Sequence, residues 1–266
     1  MGCGSGASRR VRNQKTAFLN GKMIRSVIIG ISSSTPGGSL IRKSEIMILI
    51  ILEQGKENDM GECVIIYGKS GSGKSRSLKE FAEDEILFIN TVNKRLPFQK
   101  QFKYEYKTAD VTKVKNALKK MPTKTAVIDD FGYQQTERFM AEHTKKQGVS
   151  QFDLYNNIAD DTYGLIMFIK KELPDDVIVY LIMHEETSDY GDTKLKTIGK
   201  LLDQKVCVEG MVTICLRAMK EGTTKYFFRT QSDGADISKS PEGLFELQID
   251  NDLKMVTDKI REYWGL

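Results

Sequence analysis

Residues 63–75, Cys-Val-Ile-Ile-Tyr-Gly-Lys-Ser-Gly-Ser-Gly-Lys-Ser, read as a short apolar strand running into the pattern G-x-x-x-x-G-K-S. A strand that turns into a helix through such a loop presents successive backbone N–H groups to a phosphate chain. Gly68, Gly71 and Gly73 permit the tight turn, and a helix expected over Lys74 to Ala82 adds the positive end of its dipole. Lys74 would reach the β- and γ-phosphates, and the Ser75 hydroxyl would sit on a Mg²⁺ bridging them. The whole loop is therefore the expected cradle for ATP and Mg²⁺: Gly68, Lys69, Ser70, Gly71, Ser72, Gly73, Lys74 and Ser75.

Outward from this loop the chain alternates strand and helix patterns, which predicts an α/β fold: a mostly parallel sheet flanked by helices. Strands are expected at Val64 to Tyr67, Ile86 to Asn90, Gln101 to Lys107, Thr125 to Asp130 and Val177 to Met183. In Gln101 to Lys107 the alternation puts Phe102, Tyr104 and Tyr106 on one side and Lys103, Glu105 and Lys107 on the other. Helices are expected at Val111 to Lys120, N-capped by Asp110, at Gln134 to Lys146 and at Phe152 to Leu173. In the last of these, Tyr155, Ile158, Leu165, Ile169 and Leu173 recur at helical spacing as a core stripe. Val212 to Met219 and Lys225 to Thr230 read as a C-terminal antiparallel hairpin, and Leu253 to Trp264 as a closing helix.

The chemistry the loop calls for has a partner in Ala126-Val-Ile-Asp-Asp130. Asp129 should emerge at the carboxyl edge of the sheet, where it could hold the magnesium. Asp130 would orient or deprotonate an attacking water, or else N-cap the next helix. His184 ends the strand expected beside that of Asp129, and reads as a polar sensor of the γ-phosphate or as an imidazole satisfied by a backbone carbonyl or by Glu185. Lys74, Asp130 and His184 are thus the expected catalytic residues, and Ser75 and Asp129 the metal-holding ones. Lys194, Lys196, Lys200, Arg217, Arg229 and Lys239 are the cations available to neutralise transition-state charge, unless a neighbouring subunit supplies one.

Length and charge bound the rest. The 266 residues suffice for one large domain or one domain with an extension, and carry a formal net charge of +4. Residues 1–59 hold nine Lys and Arg against four Asp and Glu, which leaves 31 against 32 in residues 60–266, a body of charge −1. Contact with nucleic acid would therefore have to come from local patches. The first is Lys94-Arg-Leu-Pro-Phe98-Gln-Lys100-Gln-Phe102-Lys103-Tyr104, where bases and aromatics interleave as in single-strand binders or as in an amphipathic strand. The second is the loop from Thr187 to Lys200 with its three lysines, which reads equally as a solvated loop.

Residues 1–59 differ in character: a Gly/Ser start, a basic stretch, Ser-Ser-Ser-Thr-Pro-Gly-Gly and an apolar patch at Ile46 to Leu52. That patch falls short of the ~20 residues a spanning helix needs, and no signal peptide is expected, so the chain reads as cytoplasmic and not membrane-bound. Gly55-Lys-Glu-Asn-Asp-Met60 can be encoded as a bacterial ribosome-binding sequence followed by a start codon. Residues 1–59 are thus either upstream translation before a natural start at Met60 or a poorly structured basic tail. The four cysteines lack metal-ligand spacing and are expected to be reduced and buried.

With these residues assembled, residues 60–266 resemble the phage ATP-binding proteins of the Sak-four type, single-strand annealing recombination proteins within the AAA/RecA superfamily. Ile66-Tyr-Gly-Lys-Ser-Gly-Ser-Gly-Lys-Ser75 and Val127-Ile-Asp-Asp130 carry the general resemblance to such ATPases. Thr197-Ile-Gly-Lys-Leu-Leu-Asp203, Thr230-Gln-Ser-Asp-Gly234 and Lys239-Ser-Pro-Glu-Gly243 carry the narrower one. The resemblance implies a RecA-like P-loop NTPase domain, ATP binding, binding or annealing of single-stranded DNA in phage recombination or replication, and homo-oligomerisation. It also implies work beside a single-strand binding protein in the bacterial host cytoplasm. One departure stands out: where RecA has a glutamate after the strand that follows the loop, this chain has Thr91-Val92-Asn93, so water activation shifts to Asp130 or another carboxylate. The rival readings are a P-loop small-molecule kinase, against which the Lys-rich, Arg-poor loops argue, and a nucleotide switch that binds without hydrolysing.

Overall fold

A computed structural model describes residues 16–19, 22–25, 60–145, 149–188 and 191–266. The chain divides into two units, Met1–Gln54 and Gly55–Leu266. In the first, β1 (Thr16–Leu19) and β2 (Lys22–Arg25) pair antiparallel. The remainder of the expected extension, including the stretch before Met60, lies outside the described residues.

The second unit runs β3 (Glu62–Gly68), β4 (Leu87–Asn90), β5 (Tyr104–Lys107), α1 (Val111–Lys119), β6 (Thr125–Asp129), α2 (Gly132–Glu142) and α3 (Val149–Glu172). It continues through β7 (Ile178–Thr187), β8 (Thr193–Leu195), β9 (Ile214–Glu221), β10 (Lys225–Arg229) and β11 (Gln248–Asp250) to α4 (Leu253–Trp264). The strands lie in the order β11-β10-β9-β3-β7-β6-β4-β5, and β8 pairs with the end of β7. From β9 to β5 every pairing along that order is parallel, while β9–β10, β10–β11 and β7–β8 are antiparallel. The fold is therefore α/β, a mostly parallel mixed sheet flanked by helices with a C-terminal antiparallel hairpin, as the alternation predicted.

Both faces of the sheet are covered, which is why its central strands are almost unbroken apolar runs. On β3, Cys63, Ile65 and Tyr67 join a core built with α1 and α3, and Val64 and Ile66 join the opposite one with Leu253, Val256 and Ile260 of α4. Of the expected stripe, Ile158, Leu165, Ile169 and Leu173 are buried in the first core, while Tyr155 is only half-buried and lines a surface cavity with Gly199 and Lys200. At the ends of the helices, Asp110 Oδ1 accepts from Lys113 N at 3.1 Å, and Asp252 Oδ1 caps α4 through Lys254 N at 2.8 Å.

Four local expectations are corrected. The helix expected over Lys74 to Ala82 is one 3₁₀ turn, Ser75–Leu78. Ser77 Oγ bonds the Lys74 carbonyl, Glu85 Oε2 accepts from Ala82 N, and the Lys100 ammonium takes the carbonyls of Lys79 and Phe81, so side chains occupy the groups a longer helix would pair. A single turn contributes little macrodipole. Next, β5 begins at Tyr104, because Lys103 N bonds Glu83 O at 2.8 Å outside the ladder; Phe102 is buried and Tyr106 exposed. Strand β7 extends through His184-Glu185-Glu186 because Glu185 to Thr187 find β8 as an antiparallel partner. Finally, Cys63 and Cys215 are buried but Cys207 is exposed, on a left-handed residue with φ of 53° between two short helical turns. The expected continuation of α2 to Lys146, and Asp189 and Tyr190 in the loop after β7, lie outside the described residues.

Candidate functional site

Because β3, β7 and β6 are parallel neighbours, their carboxyl ends share one edge. Strand β7 lies between the other two, and its register sets His184 opposite Gly68. Gly68, Asp129, Asp130 and His184 are thereby gathered from distant parts of the sequence.

The loop after β3 packs too tightly for other residues at two positions. A Cβ on Gly68 would stand 2.5 Å from the Ala218 carbonyl of β9 and 2.6 Å from Ser72 Oγ. Gly73 has φ of 98°, and a Cβ there would meet the Tyr226 ring at 2.6 Å. Inside the curl, Lys74 is buried and its Nζ donates to the Gly68 and Lys69 carbonyls, both at 2.8 Å. Burial lowers its pKa to about 8, against the raising influence of Asp130.

Ser75 Oγ lies 2.9 Å and 3.0 Å from the two carboxylate oxygens of Asp129 and donates to them across 54 residues of sequence. Asp129 is buried at the end of β6; burial first, then the neighbouring Asp130 charge, pushes its pKa up to about 6. A hydroxyl and a carboxylate side by side are hard oxygen donors of the kind magnesium takes when phosphates and water complete its shell. Among the described residues no group of three or more His, Cys, Asp or Glu could hold a metal without such help. The donor chemistry at Ser75 and Asp129 therefore fits magnesium delivered with a nucleotide.

Asp130 is also buried and adopts φ of 55°, a left-handed conformation that Asp tolerates better than most residues. That turn takes its side chain away from Asp129 and into an ion pair with Lys94 through Oδ2. Its Oδ1 lies 3.4 Å from His184 Nε2 and is left without a hydrogen-bond donor. Burial works to raise its pKa, but His184 and Lys94 outweigh that and hold it below the usual carboxylate range. The N-cap alternative does not hold: Phe131 is the N-cap of α2, with no side-chain cap, and Asp130 contributes its carbonyl to Tyr133 N. Of the two alternative partners for His184, Glu185 is engaged by Arg217; the imidazole faces Asp130 and meets the Tyr133 ring edge-on at 5.7 Å.

Lys74, Ser75, Lys94, Asp130 and His184 line a cavity of about 630 Å³ together with Ser70, Gly71 and Tyr226, while Asp129 stays buried behind Ser75 and is not part of that lining. Arg76 stacks over the Tyr226 ring, 4.7 Å from its centroid. Lys94 is the site residue that sequence reasoning assigned elsewhere, to the basic-aromatic patch. The signal lay one residue beyond Thr91-Val92-Asn93, at the end of the strand after the loop.

The six cations singled out from the sequence are placed differently. Arg217 makes a two-point pair with Glu185 at 2.8 and 2.9 Å and also reaches Asp236 at 3.3 Å. Arg229 pairs with Asp233 and lies 3.5 Å from Asp236. Lys194 pairs with Glu186 at 3.2 Å, and Lys239 exchanges backbone hydrogen bonds with Cys215. Lys196 and Lys200 are exposed. In the basic-aromatic patch, Lys100 is committed to backbone carbonyls and Phe102 to the core, while Arg95 and Phe98 line both the loop cavity and a neighbouring one of about 700 Å³.

No protein-family model matches the chain, and no curated protein matches it significantly. Among the described residues, no helix is long and apolar enough to cross a membrane.

Proposed function

We propose that this chain is a RecA-like P-loop ATPase that binds Mg-ATP in the cavity of the Gly68–Ser75 loop and acts on single-stranded DNA in phage recombination or replication. The observation that carries the nucleotide part is the Ser75–Asp129 pair standing beside the buried Lys74 ammonium at the carboxyl edge of a parallel sheet. The backbone of residues 68–75 would cradle the phosphates, Lys74 would exchange its two carbonyl partners for phosphate oxygens, and Ser75 and Asp129 would hold the metal. Magnesium, when bound, would neutralise charge that builds on the phosphates. His184 stands between loop and carboxylates, where it can donate to a terminal phosphate.

The DNA part rests on the family resemblance and on exposed cations near the same edge, Arg95, Lys196 and Lys200. Homo-oligomerisation, a single-strand binding protein as partner and a site of action in the host cytoplasm rest on the resemblance alone. A nucleotide switch that binds without hydrolysing is the second reading, favoured by one observation: Asp130 is already neutralised by Lys94.

The test is Lys74→Ala. Removing one charged partner of the phosphates should weaken Mg-ATP binding by about ten- to a hundredfold with the fold intact. Unchanged ATP affinity by calorimetry would reject the assignment. Phosphate release by the wild type, with and without single-stranded DNA, separates the ATPase from the switch.

A further inference from the structure

We infer that Lys94 is the cation that meets the terminal phosphate of a bound nucleoside triphosphate, and that it leaves Asp130 to do so. This rests on the nucleotide reading above. Three features of the position point to it.

First, the backbone of Lys94 is fixed while its side chain is not. Asn90, buried at the end of β4, donates from Nδ2 to the Lys94 carbonyl at 2.8 Å and accepts from Lys94 N at 3.1 Å. Glu105 of β5 holds the same Asn90 amide at 3.2 Å, and Asn93 takes the left-handed turn, φ of 54°, that starts the loop. The side chain of Lys94 is nevertheless 46% exposed on the cavity wall. A flexible four-carbon stem on a pinned backbone can swing its ammonium through a few ångströms, the lost contact with Asp130 being replaced by the phosphate it meets.

Second, Lys94 is already paired with one anion of the cavity, since Asp130 takes its ammonium through Oδ2. A terminal phosphate, with about two negative charges and three acceptor oxygens, outcompetes a single carboxylate for an ammonium that faces both. A diphosphate lacks that group and leaves Lys94 on Asp130.

Third, Arg217 is held by Glu185 and Asp236 and Arg229 by Asp233, and of the cations that line the cavity, Arg76, Lys79 and Arg95 among them, Lys94 is the one paired with Asp130. Lys94 lines the cavity itself. Its departure would strip Asp130 of its neutralising partner, leaving a buried carboxylate with one oxygen already lacking a donor, free to accept a hydrogen bond from water. The same contact would thus both read the terminal phosphate and release the carboxylate.

Lys94→Met in the full chain keeps the apolar stem and removes the charge. Because that leaves Asp130 unpaired, the double variant Lys94→Met/Asp130→Asn removes both charges together. Affinities for a non-hydrolysable ATP analogue and for ADP, each with magnesium, are measured by titration calorimetry. ATP-analogue affinity should fall about ten- to a hundredfold in both variants, with ADP affinity within about twofold of wild type, and Lys94→Arg should recover part of the loss. Wild-type protein that binds both nucleotides, with variants whose preference between them is unchanged, overturns the role of Lys94 alone. Wild-type protein that binds neither overturns the nucleotide reading and this inference with it.

Discussion

Asp129→Asn should make the ligand-free protein more stable while removing the metal-dependent nucleotide binding proposed for it. The carboxyl is buried at the end of β6 with Asp130 next to it, and its pKa stands at about 6 against an ordinary 3.8. Folding therefore disfavours the ionised form. Below pH ~4 the group is protonated in folded and unfolded chains alike and contributes no difference. Between pH ~4 and ~6 the unfolded chain gives up the proton and the folded one keeps it, so stability falls as pH rises; above ~6 the loss is complete. At roughly 1.4 kcal/mol for each pKa unit the ceiling is about 3 kcal/mol, so a neutral amide should stabilise the protein at pH 7.5 by on the order of 1–3 kcal/mol. For a body of this size each kcal/mol moves the melting temperature by about 2–4 °C. Thermal melts in a chelator across pH 4 to 8 should show wild type and variant together at the acid end and diverging towards neutrality. A variant that melts below wild type at pH 7.5, or that still binds Mg-ATP as tightly, would refute the reasoning.

Two further outcomes follow from the site and its surface. Gly73→Ala places a Cβ 2.6 Å from the Tyr226 ring at φ of 98°, and should destabilise by about 1–3 kcal/mol in denaturant melts; no loss would show that the loop is looser than its packing. Replacing Lys194, Lys196 and Lys200 together by Gln should flatten the salt dependence of single-stranded DNA binding; the contribution of Lys194 should be the smallest, since it pairs with Glu186. A full chain that binds ATP yet no single strand at low salt would reject the DNA part of the proposal.

What could be read in the sequence was what local rules govern. The run Val64 to Tyr67 is apolar at every position because both faces of β3 are covered, and Asp110 announces α1 by capping it. What escaped depends on partners far along the chain. The helix after the loop stops short because Lys100, 21 residues beyond Lys79, takes carbonyls from it. Strand β7 runs on past Met183 because β8 folds back to meet it. Lys94 looked like one more base in a basic-aromatic stretch because Asp130, 36 residues away, is invisible to any pattern in that stretch.

The adjacency of Asp129 and Asp130 shows the same limit at the scale of one peptide bond. Sequence can assign two roles to two neighbouring carboxylates, but neighbours on a strand point to opposite faces, so one of them would ordinarily be lost to the site. The left-handed φ of 55° at Asp130 resolves this by ending β6 there and turning the second carboxylate along the edge. One aspartate then faces the Ser75 hydroxyl and the other faces Lys94 and His184. The difference in surroundings separates their proton affinities in opposite directions, up for Asp129 and down for Asp130. A carboxylate paired with a hydroxyl and a carboxylate paired with an ammonium are thus obtained from consecutive residues, and the ammonium belongs to a lysine that the strand order β7-β6-β4 delivers from the other side.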